Sequence, residues 1–294
     1  MDHASSVSPL AAFSNAAADL LARAGRSVVS VRSHGSQGSG FAWRPNLIVT
    51  ADENITDEDR LAVVLPGGEP VLATVKGRDP STDIALLRLE APHLPAVEPT
   101  TDTVAAGSLA VVVGADDGTP VAALGIVSRA GPSWRSLRGG NIDARIELDM
   151  RLRGSAEGGV ALDASGRAIG MGVFAPRRRE LVIPFATIDR IASRLEAEGR
   201  IARGYLGLGL QPAKIEGDGV GAIVMSADAS GPGARAGLRQ GDVISRWNGH
   251  AIEGVGSMLR ELGPDSVGTV VRVQAIRGGE PIEFDVTIAA RPER

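Results

Sequence analysis

The chain of 294 residues contains no cysteine, which removes disulfides, thiolate metal sites and thiol redox chemistry from any account of it. Aromatic residues are only 3% of the total, so the core must be aliphatic, and the three tryptophans, Trp43, Trp134 and Trp247, are too scattered for a sugar-binding platform. An excess of positive charge is also missing. Lys and Arg number 31 against 35 Asp and Glu, a net charge of −4, so no basic field draws in nucleic acid. Nor is there a long apolar run. Ser8 to Arg23 is alanine-rich and amphipathic and reads as a helix that starts at Ser8-Pro9 and stops at Gly25, not as a signal peptide or membrane span. The first residues, Met1 to Ser6, lack a basic region. On these grounds the chain is expected to be cytoplasmic, or periplasmic if a leader has been removed.

What is abundant is glycine, at 38 residues. Between 26 and 185, short aliphatic and β-branched runs alternate with Gly, Pro and Asp turns: Ser27 to Val31, Leu47 to Thr50, Leu61 to Leu65, Val71 to Val75, Ile84 to Leu89, Leu109 to Val113, Val121 to Val127, Ile142 to Leu148, Ala168 to Phe174 and Leu181 to Ile183. Strands at that spacing predict a sandwich or barrel. Thr187 to Glu198 carries Ile188, Ile191, Ala192 and Leu195 on one helical face and ends at Gly199. The length suits two or three domains.

Three segments carry potential chemistry. Gly38-Ser39-Gly40-Phe41 is followed by Leu47-Ile48-Val49-Thr50-Ala51-Asp52-Glu53-Asn54-Ile55; then come Asp79-Pro80-Ser81-Thr82-Asp83-Ile84-Ala85-Leu86-Leu87 and Ile146 through Glu157-Gly158-Gly159. Together they resemble the trypsin-like serine proteases of the HtrA/DegP group, and the likeness extends over roughly residues 26 to 290. By that resemblance Glu53 stands at the histidine position, Asp83 is the retained aspartate, Glu157 stands at the serine position and Ser155 at the oxyanion-hole glycine. A Ser-His-Asp site needs an attacking hydroxyl, an imidazole base and backbone donors for the oxyanion. A carboxylate attacks amides poorly, and an unperturbed glutamate, with a pKa of about 4.3, is a weak base for a hydroxyl. The histidines His3, His34, His93 and His250 read as solvated loop residues.

Further on, Gly204-Tyr205-Leu206-Gly207-Leu208 is similar to the carboxylate-binding loop of bacterial PDZ domains, and Ala236-Gly237-Leu238-Arg239-Gln240-Gly241-Asp242-Val243-Ile244 to their Ala-Gly-Leu-x-x-Gly-Asp-Val-Ile signature. Such a module binds a peptide C-terminus as an added strand. The resemblance implies peptide contacts from Tyr205, Leu206, Gly207, Leu208, Ile223, Met225, Met258 and Leu262, although aliphatic residues in a small domain are as readily core.

The expected architecture is therefore mainly β: an N-terminal helical segment (1–25), a chymotrypsin-like double β-barrel (26–200) and a PDZ domain (201–294). The expected function is a catalytically inactive pseudoprotease, not an enzyme, that binds peptides or protein C-termini as scaffold, adaptor, chaperone or regulator. Partners would include an active relative of the same family or a second copy of the chain; no nucleic acid, membrane span, cofactor or metal is expected. The alternative is a hydrolase with carboxylate-based or metal-assisted chemistry at Glu53, Asp83 and Glu157. Those three acids would be solvated or paired with Arg151 or Arg153, would share a proton between Glu53 and Glu157, or would hold a hard cation. The arginine run Arg177-Arg178-Arg179, with Arg135, Arg138 and Arg145, reads as a solvated face or as a docking surface for an acidic partner.

Overall fold

The computed structural model describes residues 8–90, 93–175, 179–215 and 219–292. His3, Arg177 and Arg178 lie outside the described residues. The chain forms two compact units, one containing residues up to Trp134 together with Ile142–Arg200, the other Arg135–Asn141 and Ile201–Arg294. The segment Arg135–Asn141 thus groups with the second unit although it lies within 26–200.

In the first unit, a helix at Pro9–Ala24 opens with proline in its first turn, where the missing N–H costs nothing. Seven strands then form one antiparallel sheet in the order Pro70–Val71, Ala62–Val64, Val28–Ser33, Ser36–Arg44, Leu47–Thr50, Ile84–Leu89, Ala73–Asp79. It encloses an aliphatic cluster that includes Val29, Val31, Ile48, Val63, Leu87 and Leu89. Six further strands, Leu109–Asp116, Thr119–Gly131, Arg145–Asp149, Val160–Leu162, Ala168–Ala175 and Arg179–Pro184, close into a barrel around Ala110, Val112, Val127, Ile146, Leu148 and Val182. The expected mainly-β body is present. Its first half is a seven-stranded sheet whose two end strands, Pro70–Val71 and Ala73–Asp79, are separated in sequence by Leu72 alone. The helix Phe185–Glu198 buries Ile188, Ile191, Ala192 and Leu195, the face read from the spacing.

The second unit holds an antiparallel sheet whose edge is Leu208–Ile215, followed by Gly219–Ala227, Val243–Trp247, Val270–Arg277 and Glu280–Thr287. Its core gathers Leu206, Val224, Leu238, Ile244, Trp247 and Val273. One buried charge is built in. Asp242, 1% exposed, accepts from Arg277 Nε and Nη2 at 2.7 and 2.8 Å and from the Arg239 N–H at 2.8 Å. Burial alone would raise its pKa, but the Arg277 hydrogen bonds, the Arg239 N–H and both arginine charges hold it below the usual aspartate value.

Because its folded pKa is depressed, the stabilisation from Asp242 is present above the unfolded value of about 3.9 and is lost as pH falls through the folded one. Asp242→Ala should cost about 3 kcal/mol at pH 7 by stranding Arg277. Hydrogen exchange over Val270–Arg277 measures the loss, and the gap between variant and parent should narrow at pH 3.

Candidate functional site

The cleft of the first unit is assembled by short turns that end strands. The strand Leu47–Thr50 runs into a 3₁₀ turn, Asp52–Asn54, whose middle residue is Glu53. Asp79 closes the next turn on itself: its carboxylate accepts from Ser81 N–H and Oγ at 3.0 and 2.5 Å and from Thr82 Oγ1 at 2.7 Å. That turn delivers Asp83 in the left-handed region, φ 58°, which aspartate tolerates better than most residues. Asp83 Oδ1 then accepts the Glu53 backbone N–H at 3.1 Å. Arg78 is committed elsewhere, to Asp52 Oδ1 at 2.6 Å and Glu58 at 3.3 Å.

Glu157 follows a 3₁₀ turn at Gly154–Ala156 in the closed barrel's loop. Its backbone is fixed through its carbonyl, which accepts from Ser39 N–H at 2.7 Å and Asn54 Nδ2 at 3.1 Å. Gly158 comes next at φ +82°, and an added Cβ there would lie 2.3 Å from the Ser39 carbonyl oxygen, so only glycine fits. Ser39 Oγ donates to the Ser155 carbonyl at 2.5 Å and accepts from the Ala115 N–H at 2.8 Å. The Glu157 N–H, which an oxyanion hole would aim into the cleft, is spent on the Gly154 carbonyl at 3.1 Å. Ser155 is half-buried beside it.

Glu53 is exposed, while Asp83 and Glu157 are half-buried. Burial is the main reason that Asp83 is pushed up to about 7; the Glu53 N–H opposes this, and the charges of Glu53, Glu157 and Asp52 add to it. Glu157 is raised in the same way, first by burial, against the Phe174 N–H bond to its Oε1, and further by the Glu53 charge. The acids of the cleft are therefore mutually destabilising as anions. Asp83 and Glu157 are thus both raised. No ion pair among the described residues joins Arg151 or Arg153 to them; both arginines are exposed. Arg129, Arg145 and Arg179 instead surround Glu147, Arg145 at 2.6 Å. Among the described residues no three acids or histidines are grouped so as to hold a metal ion. His34, His93 and His250 are exposed. Ser39, Thr50 and Asn54, the polar frame of this site, were not singled out by sequence reading; hydroxyl and amide side chains inside otherwise buried strands and turns were the available signal.

In the second unit, Gly207 turns the Gly204–Leu208 segment at φ +72°, and an added Cβ would meet the Gly231 Cα at 2.8 Å. The carbonyls of Leu206 and Gly207 accept from Gly233 and Asp228, both at 2.8 Å. Tyr205 is half-buried, its hydroxyl 3.2 Å from Asp228 Oδ2. Leu206, Met258 and Leu262 are buried in one core cluster with Leu208 packed against it. Ile223 and Met225 are not brought to that cluster. They alternate with its members Ala222 and Val224 on the strand Gly219–Ala227, so they project from the opposite face, and Met225 is 43% exposed.

Two family models match the chain: a trypsin-like peptidase domain over residues 38–171 and a PDZ domain over 204–288. The fold and cleft thus define a trypsin-like peptidase body combined with a PDZ domain. More particularly, the chain is HtrA/DegP-like. It is 32% identical over 275 residues to a probable periplasmic serine endoprotease DegP-like of Brucella suis biovar 1, covering 87% of this chain and 53% of the relative. It is 28% identical to the protein of that name from Chlamydia pneumoniae, covering 87% of this chain and 56% of the relative. The chain therefore spans about half the length of these curated relatives. Among solved structures, the serine endoprotease from Yersinia pestis superposes with a TM-score of 0.69 at 24% identity, covering 94% of this chain and 98% of that one. The HtrA-type protease AlgW with decapeptide superposes with a TM-score of 0.68 at 22% identity, covering 94% and 99%.

Two expectations are corrected by these likenesses. The chain was expected not to be an enzyme, and its relatives are named serine endoproteases, which points to an enzyme. It was expected to be cytoplasmic, and the same relatives are named periplasmic. The likeness to these relatives runs along 87% of this chain.

The raised Asp83 carries its own test. The folded state keeps a proton that the unfolded state releases near pH 4, so stability should fall as pH rises from about 4 to about 7 and level off above. Asp83→Asn, which can still accept the Glu53 N–H, should remove that slope and add on the order of 4 kcal/mol at pH 8, as read by urea unfolding across that range.

Proposed function

We propose that the chain is a peptide-capturing HtrA-type protein: its PDZ domain takes the C-terminus of a peptide or unfolded protein and serves as the scaffold, adaptor, chaperone or regulator element of the molecule. The observation that carries this is the edge position of the strand Leu208–Ile215, directly after the glycine loop and beside the helix Val255–Glu261. An edge strand has a free row of backbone donors and acceptors, and an added peptide strand uses them while loop N–H groups hold its carboxylate. Gly207→Val should weaken binding of a labelled C-terminal peptide at least about ten-fold in fluorescence polarisation, because the side chain meets the Gly231 backbone. Amidation of the peptide's terminus should do the same. An amidated peptide that binds as well as the free acid would sink this reading.

A second reading concerns the cleft and is favoured by the raised pKa values of Asp83 and Glu157. Where the cleft cleaves peptides, it does so with carboxyl groups: one carboxylate takes a proton from water as the oxygen attacks the carbonyl, and a protonated carboxyl gives its proton to the leaving nitrogen. Positions 53 and 157 supply neither imidazole nor hydroxyl for the serine route. Peptide turnover should then fall at least about a hundred-fold in Glu157→Gln and Asp83→Asn, and a serine-directed fluorophosphonate should leave the protein unlabelled. Fluorophosphonate labelling that tracks with activity would refute the carboxyl route.

A further inference from the structure

The second unit contains a cavity of about 410 Å³ with arginine on several sides: Arg138, Arg203, Arg260 and Arg291 line it, together with Leu259 and Gly204. Among the described residues no acidic side chain lines it. Elsewhere in this unit arginines meet acids: Arg135 reaches Glu261 at 3.2 Å, Arg277 reaches Asp242 at 2.7 Å and Arg272 reaches Asp285 at 3.4 Å. Arg203, Arg260 and Arg291 have no such partner among the described residues. Backbone bonds keep them together. The Arg291 N–H donates to the Arg203 carbonyl at 2.8 Å, the Arg203 guanidinium donates to the Arg138 carbonyl, and Arg135 Nη1 donates to the Arg260 carbonyl at 3.2 Å. In a chain of net charge −4, like charges gathered on one cavity are an anion site by charge complementarity.

The cavity adjoins the glycine loop. Gly204 opens the glycine loop, its N–H donating to the Leu262 carbonyl at 3.1 Å, and Leu259 sits on the helix that flanks the edge strand. Gly204 therefore belongs both to the glycine loop and to the cavity, and Leu259 of the flanking helix lines the same cavity.

We propose that the peptides selected by this PDZ domain are acidic, with Asp or Glu side chains near the C-terminus read by Arg203, Arg260 and Arg291. This rests on the PDZ domain being the capture site. Exposed guanidinium groups attract carboxylates over a Debye length and pair with them modestly, so the selectivity is additive over several contacts and weakens with salt.

The test is fluorescence polarisation of the full chain with two labelled peptides of identical last residues, one with Glu and one with Gln at the preceding positions. The acidic peptide should bind about ten-fold tighter at low ionic strength, with the gap closing as salt rises. In Arg260→Ala/Arg291→Ala, two exposed positions, its affinity should drop to that of the Gln peptide. Equal binding of both peptides overturns the acidic preference and leaves PDZ capture standing, whereas failure of both peptides to bind overturns capture and the preference together. An acidic peptide that binds equally well when amidated, or that keeps its advantage in the double variant, also overturns it.

Discussion

Ser39 is the polar stitch on which the first unit's cleft depends. It belongs to the seven-stranded sheet and is fully buried, yet its N–H, Oγ and carbonyl all find partners: the Glu157 and Ser155 carbonyls, the Ala115 N–H and Thr50 Oγ1. Asn54 Nδ2 joins the same network through the Glu157 carbonyl and Thr50 Oγ1. Ala115 and Glu157 lie on the closed barrel side, so these bonds tie the two halves of the unit at the place where the acids meet. A buried hydroxyl or amide left unpaired costs about 1–3 kcal/mol, which makes the network cooperative: loss of one member strands the others.

That frame holds main chain, not chemistry. It sets where residues 53, 83 and 157 stand while leaving their side chains to the local environment. The result is a cleft whose acids are raised by burial and by each other, and whose Glu157 N–H is turned back into its own loop. The second unit, by itself, brings together an edge strand, a glycine loop held by the Gly233 and Asp228 amides and a helix.

Much of this was legible in the chain. The strand runs, the helix face of Ile188, Ile191, Ala192 and Leu195, the mainly β architecture and the PDZ signature all follow from patterns of period 2 and 3–4 and from glycine punctuation. Less legible was which apolar residues of the second unit share a face. Ile223 and Met225 carry the same apolar character as Leu206 and Met258, but alternation along a strand sends them to the other face, and hydrophobicity has no direction until the register is known. The arginines between 129 and 179 were visible as a compositional cluster only. Arg129, Arg145 and Arg179 close on Glu147, whereas Arg138 lines a cavity with Arg203, Arg260 and Arg291 from distant parts of the chain.

Residue types and their order determined by themselves which groups occupy the three positions of the cleft, the aliphatic character of the core and the presence of both domains, since these are local or periodic properties of the chain. Burial, register and charge proximity were decided only when distant segments packed. The pKa of about 7 at Asp83 and the gathering of Arg138, Arg203, Arg260 and Arg291 around one cavity are consequences of neighbours many residues away. An ionisable group's behaviour depends on the dielectric and charges around it, and those exist only in the folded molecule.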